Sequence, residues 1–490
     1  MRILVNLAVG AITVALVAGL FAGCARTQAQ LTRLTRPVTS IITPLLTPIF
    51  GRAEGDFSNL SRVKAFEALH AKLAAEYPFT AHKAIDWQAL HDAYAPRVAA
   101  AEAARDEDAY YLALRSYIYA IPDGMMGMTY RNEVLDPRVE ASFGLRVMTV
   151  EDGRTIAYAI EDGGPAAQAG IAWGAEILTW NNKPIAEALA QVETFWPDAP
   201  AATTALRQLR AQHYLRRGPE NAQALVGYKN PGAPEAALAP LKAAKDGYEG
   251  LKDASQFYAS IDEESDPMRT ERLASGAAYI RIFFMAPSFS TPFPAQAFRN
   301  ALEEAVKDQA SGIILDLRGN GTGVDAFIPE FAGHFVEKEM PFNTTVVLNE
   351  NRVFEANHDL DLLITPQEPR VSCPVVVLVS ASTSGSCEGL AWALQQQPNV
   401  TVMGFHGTGG VYGLAGGEIQ MPGGFTVLYP MGRYECEGKI LLTADGAGNG
   451  GVQPGIRLPI TEEVLRAMRL EGRDVLLEAA EARIQEAEGK

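Results

Sequence analysis

The period of apolar and polar positions changes several times along the 490 residues. After a short basic start at Met1-Arg2, Ile3 to Phe21 is one uncharged, mostly apolar run broken only by Asn6 and Thr13. A basic start, an apolar stretch and small residues up to Gly23 read as a signal peptide over 1–23. The competing reading is an uncleaved membrane anchor, since the run nearly spans a bilayer. Residues 24–55 are rich in Thr, Pro and Leu and read as a tether. From Phe57 the period becomes helical. Val63, Phe66, Leu69 and Leu73 recur at three- and four-residue spacing, a second helix follows Asp86, and a third runs from Tyr110 to Ile121, closed by Pro122-Asp123-Gly124. These make a helical module over 56–137.

Alternation with glycine punctuation follows. Leu145 opens a strand, Thr155 to Ile160 forms another, and Gly174 to Leu178 a third that ends at the polar turn Asn181-Asn182-Lys183-Pro184. A helical insertion carries Leu206, Leu209 and Tyr214, and Val226-Gly227-Tyr228 closes a β-domain over 138–242. Residues 243–268 are charged and aperiodic and read as a linker. From 269 to 470 strand and helix alternate: strands at 277–284, 312–316, 374–379 and 400–403, helices at 298–306 and 390–394. Continuous apolar runs bounded by turns suit strands covered on both faces, which points to an α/β core. A charged helix ends the chain within 471–490, with Asp474 as its N-cap.

Composition narrows the function. Lys+Arg 42 against Asp+Glu 58 leaves a net charge of −16, which excludes a nucleic-acid partner. Hydrophobic content of 48% with 20% charged is globular. Four cysteines exclude a disulfide-built scaffold, and the chain has no C-x-x-C or H-x-x-x-H spacing, so no metal or cofactor is implied. The sequence Ala22-Gly23-Cys24 resembles a bacterial lipobox in which Cys24 is acylated after cleavage, although Phe21 stands where Leu is usual. Either N-terminal reading places the chain in the cell envelope, on its periplasmic or extracellular face, held at the membrane by a lipid or an anchor. Of the remaining cysteines, Cys373, Cys387 and Cys436, only one internal pair can form.

Residues 143–185 resemble a PDZ domain through Phe143-Gly144-Leu145, Gly164-Pro165-Ala166, Ala169-Gly170-Ile171 and Gly174-Ala175-Glu176-Ile177-Leu178. The resemblance implies that an exposed strand edge pairs with a protein C-terminus, while Phe143, Gly144 and Leu145 present amides to its carboxylate. Residues 270–460 resemble the core of C-terminal-processing (tail-specific) and tricorn-core serine peptidases. The carriers are Ala278 to Ile282, Gly312 to Gly321 with its Asp316-Leu317-Arg318-Gly319-Asn320 segment, the small-residue turn 380–388 and Thr408-Gly409-Gly410. The fold class so implied is multidomain α+β: an N-terminal helical module, a PDZ β-domain and a ClpP/crotonase-like α/β peptidase core.

The same resemblance implies a serine nucleophile in the turn, a lysine or histidine base, and a glycine-rich loop that shares the oxyanion with helix amides. This sequence departs from each of these side chains. Aligning the family's glutamate to Glu388 puts Gly385 at the nucleophile and Gly410 at the lysine. The family's Asp-Gly-His reads Asp123-Gly124-Met125, and its late Gly-x-x-Pro-Asp ends in Gly455. Ser384 and Ser386 flank the emptied position. Ser386 is the favoured nucleophile, with the amide of Cys387 and the loop residues Gly321 and Gly323 as oxyanion donors. His406 is the nearest candidate base, and the Cys387 thiol is a further nucleophile type. Two functions stay open. One is a membrane-anchored serine peptidase with a degenerate site, whose PDZ domain docks protein C-termini for cleavage. The other is an inactive relative that binds peptides as an adaptor. The oligomeric state is not legible.

Overall fold

The helical spacing of Phe66, Leu69 and Leu73 produces α1 (Arg62–Glu76), capped by the Ser61 hydroxyl, in a computed structural model that describes residues 54–193, 195–197, 199–248, 268–288, 291–321 and 323–488. Cys24, residues 1–53 of the signal peptide and tether, and residues 249–267 of the linker lie outside the described residues. Asp86 caps α2 (Trp87–Ala104) by accepting the Ala89 amide at 2.9 Å, and Asp106 caps α3 (Glu107–Tyr119) in the same way. The three helices do not close a core alone. Phe66, Leu69, Leu73, Tyr110, Leu114 and Tyr117 pack with Ile419, Met421, Phe425 and Val427. These four belong to an antiparallel hairpin, Gly417–Met421 and Phe425–Tyr429, from the far end of the chain. Short strands at Glu54–Asp56 and Gly127–Met128 flank that hairpin on its two edges.

The β-domain is a meander of β1 (Leu145–Thr149), β2 (Thr155–Ile160), β3 (Glu176–Trp180), then α4 (Thr204–Leu215), β4 (Gln223–Lys229) and β5 (Ala237–Lys242). Its order is β5-β4-β3-β2-β1, so β1 lies at an edge. Asn181 and Asn182 both take positive φ, 50° and 63°, which makes the tight turn after β3. Met148, Val150 and Ile156 share one apolar cluster with Leu206, Leu209, Ile460, Leu465 and Met468. The β-domain is therefore packed onto the C-terminal core.

That core holds β6 (Met268–Arg272), β7 (Ala278–Ile282), α5 (Pro294–Lys307), β8 (Ile313–Asp316), α6 (Phe327–Ala332), β9 (Val375–Leu378), α7 (Ser386–Gln395), β10 (Val400–Gly404), β11 (Ile456–Arg457), α8 (Glu462–Leu470) and α9 (Val475–Glu488). The sheet runs β6-β7-β8-β9-β10-β11, parallel except at β6. Every residue of β8 and β9 is buried, because α5–α7 cover one face and α8, α9 and the β-domain the other. Asp474 caps α9, whose Leu476, Ala480 and Ile484 are buried on the sheet. Arg318 ties the root of the glycine-rich loop to that cap, bonding Asp316 at 2.7 Å and Asp474 at 2.6 Å.

Because the hairpin completes the helical core, Phe425→Ala should cost about 3–5 kcal/mol of stability. It should also open residues 62–119 to limited proteolysis. Unchanged denaturant unfolding and an unchanged cleavage pattern would contradict that packing.

Candidate active site

Strand β9 ends at Leu378, and the chain turns through Val379 to Gly385 before α7 begins at Ser386. Gly385 takes φ +59° and ψ −136°, a region that only glycine enters without strain. Among the described residues a Cβ built there would have only the Gly321 oxygen nearby, at 3.7 Å, so these residues leave the space above the turn open. Backbone hydrogen bonds fix the turn on both sides. Ser384 N–H donates to Asn320 O at 3.0 Å, Gly385 N–H to Val411 O at 2.9 Å, and Gly409 N–H to Thr383 O at 2.7 Å. The Thr383 hydroxyl donates to Leu317 O at 2.8 Å, and Gly319 N–H to the Ser380 hydroxyl at 3.0 Å. The glycine-rich loop thus faces the turn. Gly323 lies so close to Met285 and Ser386 that a Cβ would fall 2.9 and 3.0 Å from theirs.

Ser386 is only 3% exposed. Its hydroxyl donates to Asp325 Oδ1 at 2.8 Å, and the Tyr434 hydroxyl donates to Asp325 Oδ2 at 2.8 Å. Burial pushes the Asp325 carboxyl above the usual range, against the pull of these two donors. Ser384 is half-buried and makes no hydrogen bond through its side chain with another described residue. His406 is not brought to either serine. Its Nε2 is buried without a hydrogen-bond partner among the described residues, and Arg457 and Glu151 are its charged neighbours. Burial, then Arg457, lowers the imidazole to about 4, so at pH 7 it is neutral. The Cys387 thiol is fully buried in the core, and burial holds it well above its ordinary pKa, so it is inert as a nucleophile. The amide of Cys387 remains in the first turn of α7, beside that of Ser386.

The other family positions are closed or turned away. A Cβ on Gly410, which has φ +67°, would fall 2.7 Å from Thr203 Cγ2 and 2.8 Å from Ala444 Cβ, so a lysine side chain has no room. Met125 places its sulfur 3.0 Å from where a Cβ on Gly413 would lie. Gly455 is exposed. Phe143 is buried edge-on to Trp180, and its amide donates to Arg216 O at 3.0 Å. Gly144 takes φ +81° and donates to the Ser142 hydroxyl, and Leu145 opens β1.

Two contributors have no counterpart in the sequence reading, Asp325 and Tyr434, and Thr408 entered it only as part of the Thr408-Gly409-Gly410 segment. Asp325 left one trace, as the only acidic residue between Asp316 and Glu330. Glu388, in the first turn of α7, turns inward and accepts Gly410 N–H at 2.8 Å, Val411 N–H at 2.9 Å and the Thr408 hydroxyl. Burial raises its carboxyl to about 7.

A parallel sheet whose central strand turns sharply into a helix, with a glycine-rich loop and helix amides around the turn, can cradle the oxyanion that acyl transfer develops. Residues 276–458 match the model of peptidase family S41 and form a Peptidase family S41 domain. The chain is 27% identical over 121 residues to the carboxy-terminal processing protease CtpB of Bacillus subtilis (strain 168), which covers 25% of this chain and 24% of that protein. It is 30% identical over 110 residues to CtpA of the same organism, covering 22% of each. The chain thus spans about a quarter of the length of the curated relatives it matches. The solved structure of mature CPAF complexed with lactacystin shares the fold, with TM-score 0.61 and 13% identity over 88% of this chain and 99% of that one. A second structure of mature CPAF gives TM-score 0.60 and 13% identity over 86% and 98%. Residues 276–458 are thus similar to a peptidase family S41 domain, and the chain shares a mixed α/β peptidase fold with the CPAF structures.

Ser386→Ala removes one of the two donors to Asp325. The carboxyl titrates above its unfolded value, so its ionisation already lowers stability as pH rises. The substitution should therefore cost about 1–3 kcal/mol at pH 7 and less at pH 4, toward which the raised Asp325 carboxyl takes up its proton and depends less on the lost donor. Denaturant titrations at the two pH values measure this, and an equal loss at both would contradict it.

Proposed function

We propose that the protein binds polypeptide C-termini in the cell envelope without hydrolysing them by the tail-specific mechanism. The observation that carries this reading is Gly385. The turn keeps the backbone geometry of a nucleophile position, φ +59° with open space above it, but supplies no side chain. The absence of room for a lysine at Gly410, and the distance in partners between His406 and the serines, support the same reading. A base must lie within hydrogen-bond reach of the proton it removes.

A PDZ-like docking edge on β1 supplies the binding. This strand pairs only with β2 among the described residues. Thr149 N–H points outward and donates to Gln212 Oε1 of α4 at 3.2 Å. Strand alternation puts the amides of Val147 and Leu145 on the same edge, where both residues are buried beside α4; a peptide adding as a further strand enters between β1 and that helix. The N-terminal apolar run and Cys24 support an envelope location with a lipid anchor. One observation favours a second reading as a serine peptidase: Ser386 donates to the Asp325 carboxylate at 2.8 Å, and among the described residues that carboxylate is the side chain placed to act as its base.

The protein without residues 1–24 should bind peptides with apolar C-termini saturably and release no fragments from unfolded proteins. Val147→Pro removes one outward N–H at an edge that tolerates proline and should abolish binding. Amidating the peptide's C-terminus should weaken it. Fluorescence anisotropy and mass spectrometry read the two activities. Cleavage lost in Ser386→Ala and retained in Ser384→Ala and His406→Ala would replace this reading with the peptidase one.

A further inference from the structure

The core sheet has two unlike edges. Its β11 edge is two residues long. Its β6 edge is five residues long, exposed from Arg269 to Arg272, and paired among the described residues with β7 alone. An open strand of that length presents a row of amides and carbonyls with which another chain can pair.

The direction of those groups follows from the register. Leu273 N–H donates to Ala277 O at 3.0 Å, so the backbone groups turned toward β7 belong to Leu273, Glu271 and Arg269. Met268, Thr270 and Arg272 therefore point their N–H and C=O groups outward. The β5 edge of the β-domain is built differently. Ala243 N–H, just after β5, donates inward to Ala222 O at 2.8 Å, so the outward positions of β5 are Leu238, Pro240 and Lys242. Proline at the middle one removes the central donor and blunts that edge. β6 carries no proline. It carries opposite charges instead: Arg269 and Glu271 share one face of the strand, both exposed, with an N–O distance of 3.1 Å.

Those charges select a register for a second copy laid antiparallel against β6. Centring the pair on Arg269 sets arginine opposite arginine. Centring it on Glu271 sets glutamate opposite glutamate. Like charges directly opposed destabilise a strand pair. Centring on Thr270 sets Arg269 opposite Glu271 of the copy and Glu271 opposite Arg269 of the copy, a square of alternating charge. That centre also overlaps the whole strand. Thr270 meets its own counterpart, and Met268 meets Arg272 of the copy, so outward groups face outward groups along the full length.

We propose that the protein self-associates through β6, its partner a second copy of this chain, with a two-fold axis at Thr270 that joins the two core sheets into one. The contact is isologous, so it closes at the dimer and does not propagate into a filament. A five-residue strand pair is a small interface of the weak, reversible kind, and the dimer should form and dissociate with concentration.

Sedimentation equilibrium of the full chain in a nonionic detergent, over a dilution series at low salt, reads the association. The wild type should move reversibly between monomer and dimer. Arg269→Glu or Glu271→Arg alone sets like charges opposite one another at two places and should raise the dissociation constant about tenfold. The two substitutions together restore unlike pairs and should return it close to the wild-type value. Thr270→Cys should cross-link copy to copy under copper-phenanthroline oxidation, because residues paired in this way have Cα atoms about 5.5 Å apart. Arg272→Cys, which faces Met268 of the copy, should cross-link no more than the wild type with its four native cysteines. A monomer at every concentration, a dimer indifferent to the charge reversals, or equal cross-linking at 270 and 272 would overturn the proposal. The readout is self-association, so it stands apart from the outcome of the peptide experiments.

Discussion

A strand that must hand its chain to a helix within a few residues needs one position with a backbone that side chains resist. Gly385 is that position, and most of the surrounding polar architecture holds it in place. An ordinary residue there would carry about 1–3 kcal/mol of strain, which the neighbourhood would have to offset. With glycine the strain disappears while the constraints remain. Asn320 from the glycine-rich loop holds one side of the turn and Val411 holds the other. Neither flank can shift without dragging the start of α7. The geometry of the site is therefore a property of the backbone, and it persists without any reactive side chain at its centre.

Charge is distributed in keeping with that picture. Two carboxylates lie buried beside the first turn of α7, Asp325 and Glu388, and both are satisfied by hydroxyls and amides alone. Asp316 is equally buried and would be raised in the same way, but Arg318 outweighs the burial and holds it below the usual range. The cation lies at the root of the glycine-rich loop, where it also fixes α9 through Asp474, and not at the turn itself. His406 has its charged neighbours on the side of the β-domain. The turn is thus surrounded by acids and tyrosines, a setting that binds protons more readily than it removes them from a nucleophile.

Much of the fold was legible in the sequence because local patterns decide it. The apolar runs that became β8 and β9 are continuous, and the residues that became α1 to α3 repeat with helical spacing and carry Asp86 and Ser61 at their starts. The strand at 277–284 shortened to Ala278–Ile282, and the helix at 390–394 lengthened back to Ser386. What local pattern could not carry was the pairing of distant segments. The hairpin at 417–429 alternates as a strand should, but nothing in it says that its apolar face belongs under the N-terminal helices. The same limit applies at the site. The departures at Gly385, Gly410 and Met125 were readable by alignment, whereas the direction of a side chain was not. Ser386 and Glu388 both turn inward, to partners from the 325 and 408–411 segments, and His406 turns to Arg457 and Glu151.

The contrast between Gly385 and Gly410 bears on how such a protein could change over generations. Glycine and serine codons can differ by a single base, and the described residues leave the space above Gly385 open. Glycine and lysine codons differ by more, and the surroundings of Gly410 are filled by Thr203 from the segment leading into α4 and Ala444 from a loop that also carries the Lys83 contact. A lineage could gain a hydroxyl at 385 by one substitution, but gaining an amine at 410 would require concerted replacement in two other parts of the chain. The two positions thus differ in how far they lie from a reactive side chain: one is open, and the other is closed by the packing of Thr203 and Ala444.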